Sequence, residues 1–307
     1  MRKRWGDVRA GVWVALARWS LLKLRQHKLD SRNWRPQILL FAGDTGKRAG
    51  LVRLASLFNQ DRGIVTVCRL VVGEVDKFQK IEQLREEMEH EIGEAGVVAF
   101  PEVDVVSSFE DGVLGVAQAN GIAGLHSNTV MFGWSRRKER LESQLRMMRR
   151  MSYVRKNTII TRLNWAHEPG RDKCIDIWWG GLQNNGDLML LLAYLLRLNP
   201  GWRDARICVR SVANDEEERQ RQLDGLANLL PGTRIGAESE VIVKPPNRTI
   251  TDVVHQTSAN ADIVFLGLQE PEPGEETAYA GRIIELAGSL NTCIFVRSGG
   301  EFAGQLI

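Results

Sequence analysis

The turn Gly43-Asp44-Thr45-Gly46-Lys47 is the first place in this chain where residue types and spacing suggest chemistry. Glycine beside lysine after an apolar run is the raw material of a phosphate loop. That loop needs GxxxxGK followed by Ser or Thr, so that backbone amides cradle phosphates and a hydroxyl holds magnesium. Here Phe41 stands where the first glycine is required and Arg48 where the hydroxyl is required. The dinucleotide fingerprint GxGxxG also fails, because the glycines fall at 43, 46 and 50. The five histidines (27, 90, 126, 167, 255) lack metal-ligand spacing, and no GxSxG elbow offers a serine nucleophile. The acidic run Asp215–Glu218 suits a helix start, where it complements the dipole. Glu86, Glu87, Glu89 and Glu91 read as a solvated helix face. Cys68, Cys174, Cys208 and Cys293 are far apart in apolar runs, as buried reduced thiols are. No catalytic set converges, and no metal or cofactor is expected.

The elements that would carry these residues follow a simple pattern. Short apolar runs at 37–42, 64–72, 97–103, 129–134 and 158–163 predict strands. Helical stretches at 49–59, 77–92, 109–120 and 138–151 separate them. Continuous apolar strands with helical crossovers define a parallel sheet buried on both faces. The polar segment 164–173 carries Pro169 and Gly170 and reads as a linker. The alternation then restarts. Strands are predicted at 174–179, 206–212, 240–243, 262–266 and 292–297, and helices at 187–198, 215–230, 249–258 and 277–290. The second series begins with Ile175 where the first begins with Ile38, so an internal duplication is expected. The fold class is therefore α/β: two tandem doubly wound parallel-sheet subdomains, 34–163 and 174–307, behind a helix-forming segment, 1–33.

In such sheets ligands bind beyond the carboxyl ends of the strands, where strand order reverses. The loops after the first and fourth strand of each series mark that place: Gly43–Lys47 with Gly133–Ser135, and Gly180-Gly181 with Gly267-Leu268. Gly43, Asp44, Thr45 and Gly133 are the candidate ligand-binding residues.

Composition sets further limits. The chain has 307 residues, 43% hydrophobic and 26% charged, the balance of a folded protein. No apolar run approaches the ~18 residues that span a bilayer, and no signal-peptide pattern occurs. The net charge of +3 is unevenly placed: residues 1–33 hold nine Lys or Arg against Asp7 and Asp30. Within that segment Trp5, Val8, Val12, Ala15, Trp19 and Leu22 recur at steps of three and four, widened by Trp13 and Leu16, so a basic amphipathic helix is expected. A basic, apolar helix suits the anionic inner face of a membrane. A second basic cluster, Arg136 to Lys156, offers only Tyr153 for base stacking, so nucleic acid is not an expected partner.

Three stretches resemble the carboxyl-terminal domain of the cation–chloride cotransporters, in the amino acid/polyamine/organocation transporter superfamily. They are Asn33-Trp34-Arg35-Pro36-Gln37; Ile175-Asp176-Ile177-Trp178-Trp179 with Asn185-Gly186-Asp187-Leu188 and the Leu190–Leu196 run; and Ala261–Val264 through Thr292–Arg297. The resemblance spans nearly the whole chain, in the form of a compact prokaryotic member without long phosphorylatable insertions. It implies two subdomains similar to universal stress proteins and a helical connector from the last membrane span. It implies a cytoplasmic regulatory and dimerisation role beside the chain's own transmembrane part, in a chloride-coupled symporter of Na+ and/or K+. The alternative is a standalone universal-stress-like nucleotide-binding protein. Some of those proteins hold ATP through Gly-x2-Gly-x9-Gly-Ser/Thr after the fourth strand. Here Glu270 follows Gly267, and Arg136 follows Gly133, at the second glycine's place.

The purified chain is expected to hydrolyse no ATP. Turnover that survives further purification and disappears in Lys47→Ala would contradict this.

Overall fold

A computed structural model describes residues 8–26, 34–75, 80–122, 124–135, 137–164, 173–180, 185–233 and 235–299. It opens with helix α1, Val8–Gln26. The first half then runs β1 (Ile38–Phe41), α2 (Ala49–Asn59), β2 (Val65–Val72), α3 (Ile81–Glu94), β3 (Phe100–Val106) and α4 (Phe109–Ala119). A small hairpin follows, β4 (Gly121–Ile122) and β5 (Leu125–His126), then β6 (Thr129–Gly133), α5 (Lys138–Tyr153) and β7 (Asn157–Arg162). The second half runs β8 (Cys174–Trp178), α6 (Asn185–Arg197), β9 (Arg206–Ala213), α7 (Glu216–Thr233) and β10 (Glu238–Val243). It closes with α8 (Ile250–Thr257), β11 (Ile263–Gly267), α9 (Glu276–Ala287) and β12 (Thr292–Arg297).

Ten strands form one sheet in the order β10-β9-β8-β11-β12-β7-β6-β1-β2-β3. Within each half every pairing is parallel; β7 and β12 join the halves antiparallel. Each half has the doubly wound order, with its first strand flanked by its second and fourth.

The register carries the duplication in detail. Ile38 stands level with Val65 and Thr129, and Thr129 with Asn157. Ile175 stands level with Ile207 and Ile263, and Ile263 with Thr292. The two rows correspond strand for strand. Counting three residues on from Asn157 and Thr292 makes Ile160 the counterpart of Phe295, and these two face each other across the seam. A pseudo-twofold axis therefore passes through that pair.

Alternation along the strands fills both faces. Ile38 and Leu40 join a core with α2, α3, α6 and α7. Leu39 and Phe41 join another with α4, α5, α8 and α9. Both layers cross the seam. Phe58 of α2 meets Phe265 of β11 with ring centroids 6.4 Å apart, and Trp134 stacks on Phe295 at 5.4 Å. Polar links reinforce them: Gln60 Nε2 donates to the Leu195 carbonyl at 2.6 Å and Asn199 Nδ2 to that of Leu57 at 3.0 Å. On the opposite face Arg149 of α5 donates to the Pro271 carbonyl and pairs with Glu276 of α9 at 2.7 Å.

Two local differences from the sequence reading have clear causes. The third strand begins at Phe100 rather than Val97 and contains Pro101. Proline is tolerated because β3 pairs only with β2, leaving one side of its backbone outside the ladder. Helix α1 is apolar beyond its expected seam. Trp19 (61% exposed) is on the seam and Trp13 (68%) on its expected widening, while exposed Val14 points elsewhere around the helix, and residues 10–19 are all exposed. Val12 and Leu22 are exposed as well. Trp5, most of the segment 164–173 and Gly181 lie outside the described residues, as does the side chain of Val8.

Arg149 and Glu276 retain only 14% and 10% of their side-chain exposure. Arg149→Ala leaves the Glu276 carboxylate without its cation and should destabilise the fold by about 2 kcal/mol. Arg146→Ala, at a more exposed pair with Glu110 on the same helix, should lower stability by under ~1 kcal/mol. Urea unfolding of the two variants reads the difference.

Candidate functional site

The sheet has two reversal points, between β1 and β6 and between β8 and β11. Register places Phe41 beside Phe132, so the loops carrying Gly43–Thr45 and Gly133 emerge from adjacent strand ends. The four candidate residues are thus brought to one crevice, but not to one role. Gly43 turns the chain with φ +70°. Asp44 receives the Lys47 backbone N–H at 3.1 Å and pairs with its ammonium at 2.8 Å. The Lys47 ammonium beside it, donating to the carboxylate, holds Asp44 below the usual carboxylate range. Both charges of this would-be phosphate turn are therefore engaged with each other. Thr45 is buried, and its hydroxyl has no partner among the described residues. Gly133 is in contact with Arg48: a Cβ there would come within 2.8 Å of the guanidinium and 3.0 Å of Leu51.

Of the four, Gly133 lines a cavity that Gly43, Asp44 and Thr45 do not line. That cavity, of about 560 Å³, is bordered by Arg48, Leu51, Trp134, Thr161 and Arg162. Arg162 is engaged by the Gly288, Leu290 and Asn291 carbonyls after α9. Arg48 is half-buried and has no ion-pair partner among the described residues. Burial, with the nearby Arg140 charge, pulls its pKa below the ordinary arginine value. The residue that breaks the phosphate-loop pattern therefore fills this crevice as a desolvated cation. Among the described residues no cluster of His, Cys, Asp or Glu could hold a metal ion.

The second reversal point holds a cavity of about 420 Å³, and the sequence reading assigned it no ligand residue. Trp178 and Trp179 at the end of β8, Met189 of α6, Glu218 and Gln222 of α7 and Tyr279 of α9 are on its walls. The loops Gly180-Gly181 and Gly267-Leu268 pointed to this place, but the aromatic wall comes from strand and helix residues far apart in the chain.

The motif residues around it have physical roles. Asp176 is 1% exposed. Its Oδ2 accepts from the Ser258 hydroxyl at 2.7 Å, and Ser258 Oγ accepts from Trp178 Nε1 at 3.0 Å. Arg210 Nε lies 2.9 Å from the same carboxylate oxygen, a contact of charges rather than an aligned hydrogen bond. Arg210 also pairs with Glu240 on β10. One carboxylate thereby links β8, β9 and the end of α8. Asn185 donates to the Leu268 carbonyl at 2.7 Å and accepts from Ser298 N–H at 2.8 Å, fastening the ends of β11 and β12. Gly186 leaves room for the Trp179 ring, which a Cβ would meet at 2.4 Å. The residues Trp34–Gln37 are fastened by Asn128, which donates to the Arg35 carbonyl at 2.8 Å and accepts from Gln37 N–H at 3.0 Å.

The architecture is that of paired universal-stress-protein folds. A putative universal stress protein of Pseudomonas aeruginosa UCBPP-PA14 superposes with TM-score 0.56 at 12% identity, covering 89% of this chain and 97% of its own. One from Archaeoglobus fulgidus DSM 4304 gives 0.56 at 15% identity, covering 87% and 98%. The cytoplasmic domain of a prokaryotic cation chloride cotransporter gives 0.64 at 19% identity, covering 87% and 97%. Residues 135–261 match the model of solute carrier family 12. The resemblance to the cotransporter domain is thus supported twice, by that family match and by the fold. Among the described residues no helix is long and apolar enough to cross a membrane.

Asp176→Asn keeps the shape and removes the charge that Arg210 faces. It should destabilise the chain by about 3 kcal/mol. Glu240→Gln, at a carboxylate whose side chain is 51% exposed, should cost under ~1 kcal/mol. Equal losses in urea titrations would contradict the central place given to Asp176.

Proposed function

We propose that the chain is the non-catalytic cytoplasmic regulatory and dimerisation domain of a chloride-coupled symporter of Na+ and/or K+. The observation that carries this reading is the family match over 135–261, a segment that runs from before α5 to the end of α8 and crosses the junction between the halves. In this reading residues 34–163 and 174–307 are two subdomains joined through 164–173. Residues 1–33 connect them to the chain's own transmembrane part at the cytoplasmic face of the cell membrane. The exposed tryptophans of α1 and the basic residues of its segment suit an anionic lipid surface. Regulation belongs to the first crevice, which Gly133 and the half-buried Arg48 line beside the Gly43–Thr45 turn. An anionic ligand there would supply a counter-charge to Arg48.

The fold alone also fits a standalone stress-type nucleotide-binding protein. Arg48 against Gly133 and the self-paired Asp44 and Lys47 weigh against its usual phosphate site.

The apolar side chains that α1 leaves exposed can be covered by the same helix of a twofold-related copy, which with the resemblance supports dimerisation. Sedimentation equilibrium at micromolar protein should give close to twice the 34.6 kDa chain mass. Deleting residues 1–33 should weaken the dimer. A monomer at the highest soluble concentration would count decisively against the dimerisation role.

A further inference from the structure

The cavity of the second half differs in chemistry from the crevice of the first. We propose that it binds a small aromatic amine, with the ring among Trp178, Trp179 and Tyr279 and the ammonium toward Glu218. Three observations converge on that class. First, the place is the reversal point between β8 and β11, where doubly wound sheets hold ligands. Its volume of about 420 Å³ lies in the range of small-molecule sites.

Second, the wall is aromatic and aliphatic, with Met189 also on it. Indole and phenol faces carry negative potential, which favours a cation or the positive edge of another ring. Gly186 permits the Trp179 ring to lie against the first turn of α6, which adds to the aromatic character of the wall.

Third, no lysine or arginine is among the described lining residues, and the one charged group is the Glu218 carboxylate. Glu218 is half-buried and fixed in place. It accepts from Asn214 N–H at 2.8 Å, from Asn214 Nδ2 at 2.9 Å and from Gln222 Nε2 at 3.1 Å. These bonds, the Asn214 backbone N–H first, hold its carboxyl below the usual range, so it is ionised at neutral pH. A carboxylate has about four acceptor positions; three are occupied here, and one is left for an ammonium. A phosphorylated or carboxylated ligand would meet repulsion from Glu218, with no lysine or arginine among the described lining residues; Arg282, outside the lining, is engaged with the Tyr279 ring, 5.1 Å from its centroid.

The probe is 2-phenylethylamine, with 3-phenylpropionate as its counterpart of opposite charge, titrated calorimetrically into the full chain. The amine should bind at least tenfold more tightly than the acid. Glu218→Gln preserves the size of the side chain and should remove most of that preference. Ile250→Trp places bulk at the exposed rim of the cavity and should weaken the amine at least tenfold. Circular dichroism establishes that both variants remain folded. Absence of amine binding at millimolar concentration, tighter binding of the acid, a preference untouched by Glu218→Gln, or full affinity in Ile250→Trp would each overturn the proposal.

Discussion

The antiparallel pairing of β7 with β12 is the constraint on which the rest of the molecule depends. Each half alone would present its fifth strand as an open edge, with backbone donors and acceptors in a row, and such edges invite uncontrolled pairing. Placing the two fifth strands against each other removes both edges at once. It also brings α5 against α9 and α2 against α6, so the two hydrophobic layers run uninterrupted across the sheet. Because Ile160 and Phe295 are counterparts that face each other, the contact is self-complementary in the manner of a twofold homodimer, although one chain supplies both sides.

Equivalence of register does not mean equivalence of chemistry. Asp176 occupies the position that Leu39 holds in the first half, Trp178 that of Phe41, and Arg210 that of Cys68. In the first half these sites are wholly apolar or thiol, with Phe41 stacked on Phe132 at 5.5 Å. In the second they form a buried ionic and hydrogen-bonded chain. Burying Asp176 is tolerable because Arg210 and Ser258 both face it; an uncompensated carboxylate there would be severely penalised. The two crevices diverge in the same way. One is filled by the Arg48 cation, and the other is walled by indoles with a carboxylate at its rim.

Much of this was legible in the sequence. Runs such as Ile38–Phe41 and Ile263–Leu266 are apolar without alternation because both sheet faces are covered, and that pattern identifies parallel strands directly. The matching order of elements disclosed the duplication, and the failures at Phe41 and Arg48 ruled out a standard phosphate loop. The strand at 158–163 was legible but its pairing was not, because nothing local to Thr158–Leu163 names β12 as its partner. The start of β3 was missed because Val97–Ala99 is as apolar as the strand itself, and edge position, which tolerates Pro101, is a property of the whole sheet. The place of the second cavity was marked by Gly180-Gly181 and Gly267-Leu268, but its chemistry was missed for a related reason. Its walls are assembled from β8, α6, α7 and α9, and Glu218 looks in sequence like one more acidic residue at a helix start.

The antiparallel seam also gives the molecule a polarity. Strand ends that point one way in the first half point the opposite way in the second, so the two crevices open on opposite rims of the sheet. Trp34–Gln37, which lead into β1, enter at the rim where the second cavity opens and away from the rim of Arg48. The lead-in to β1 therefore shares its rim of the sheet with the aromatic cavity, with three strands between them, while the cationic crevice lies a full strand length off on the other rim.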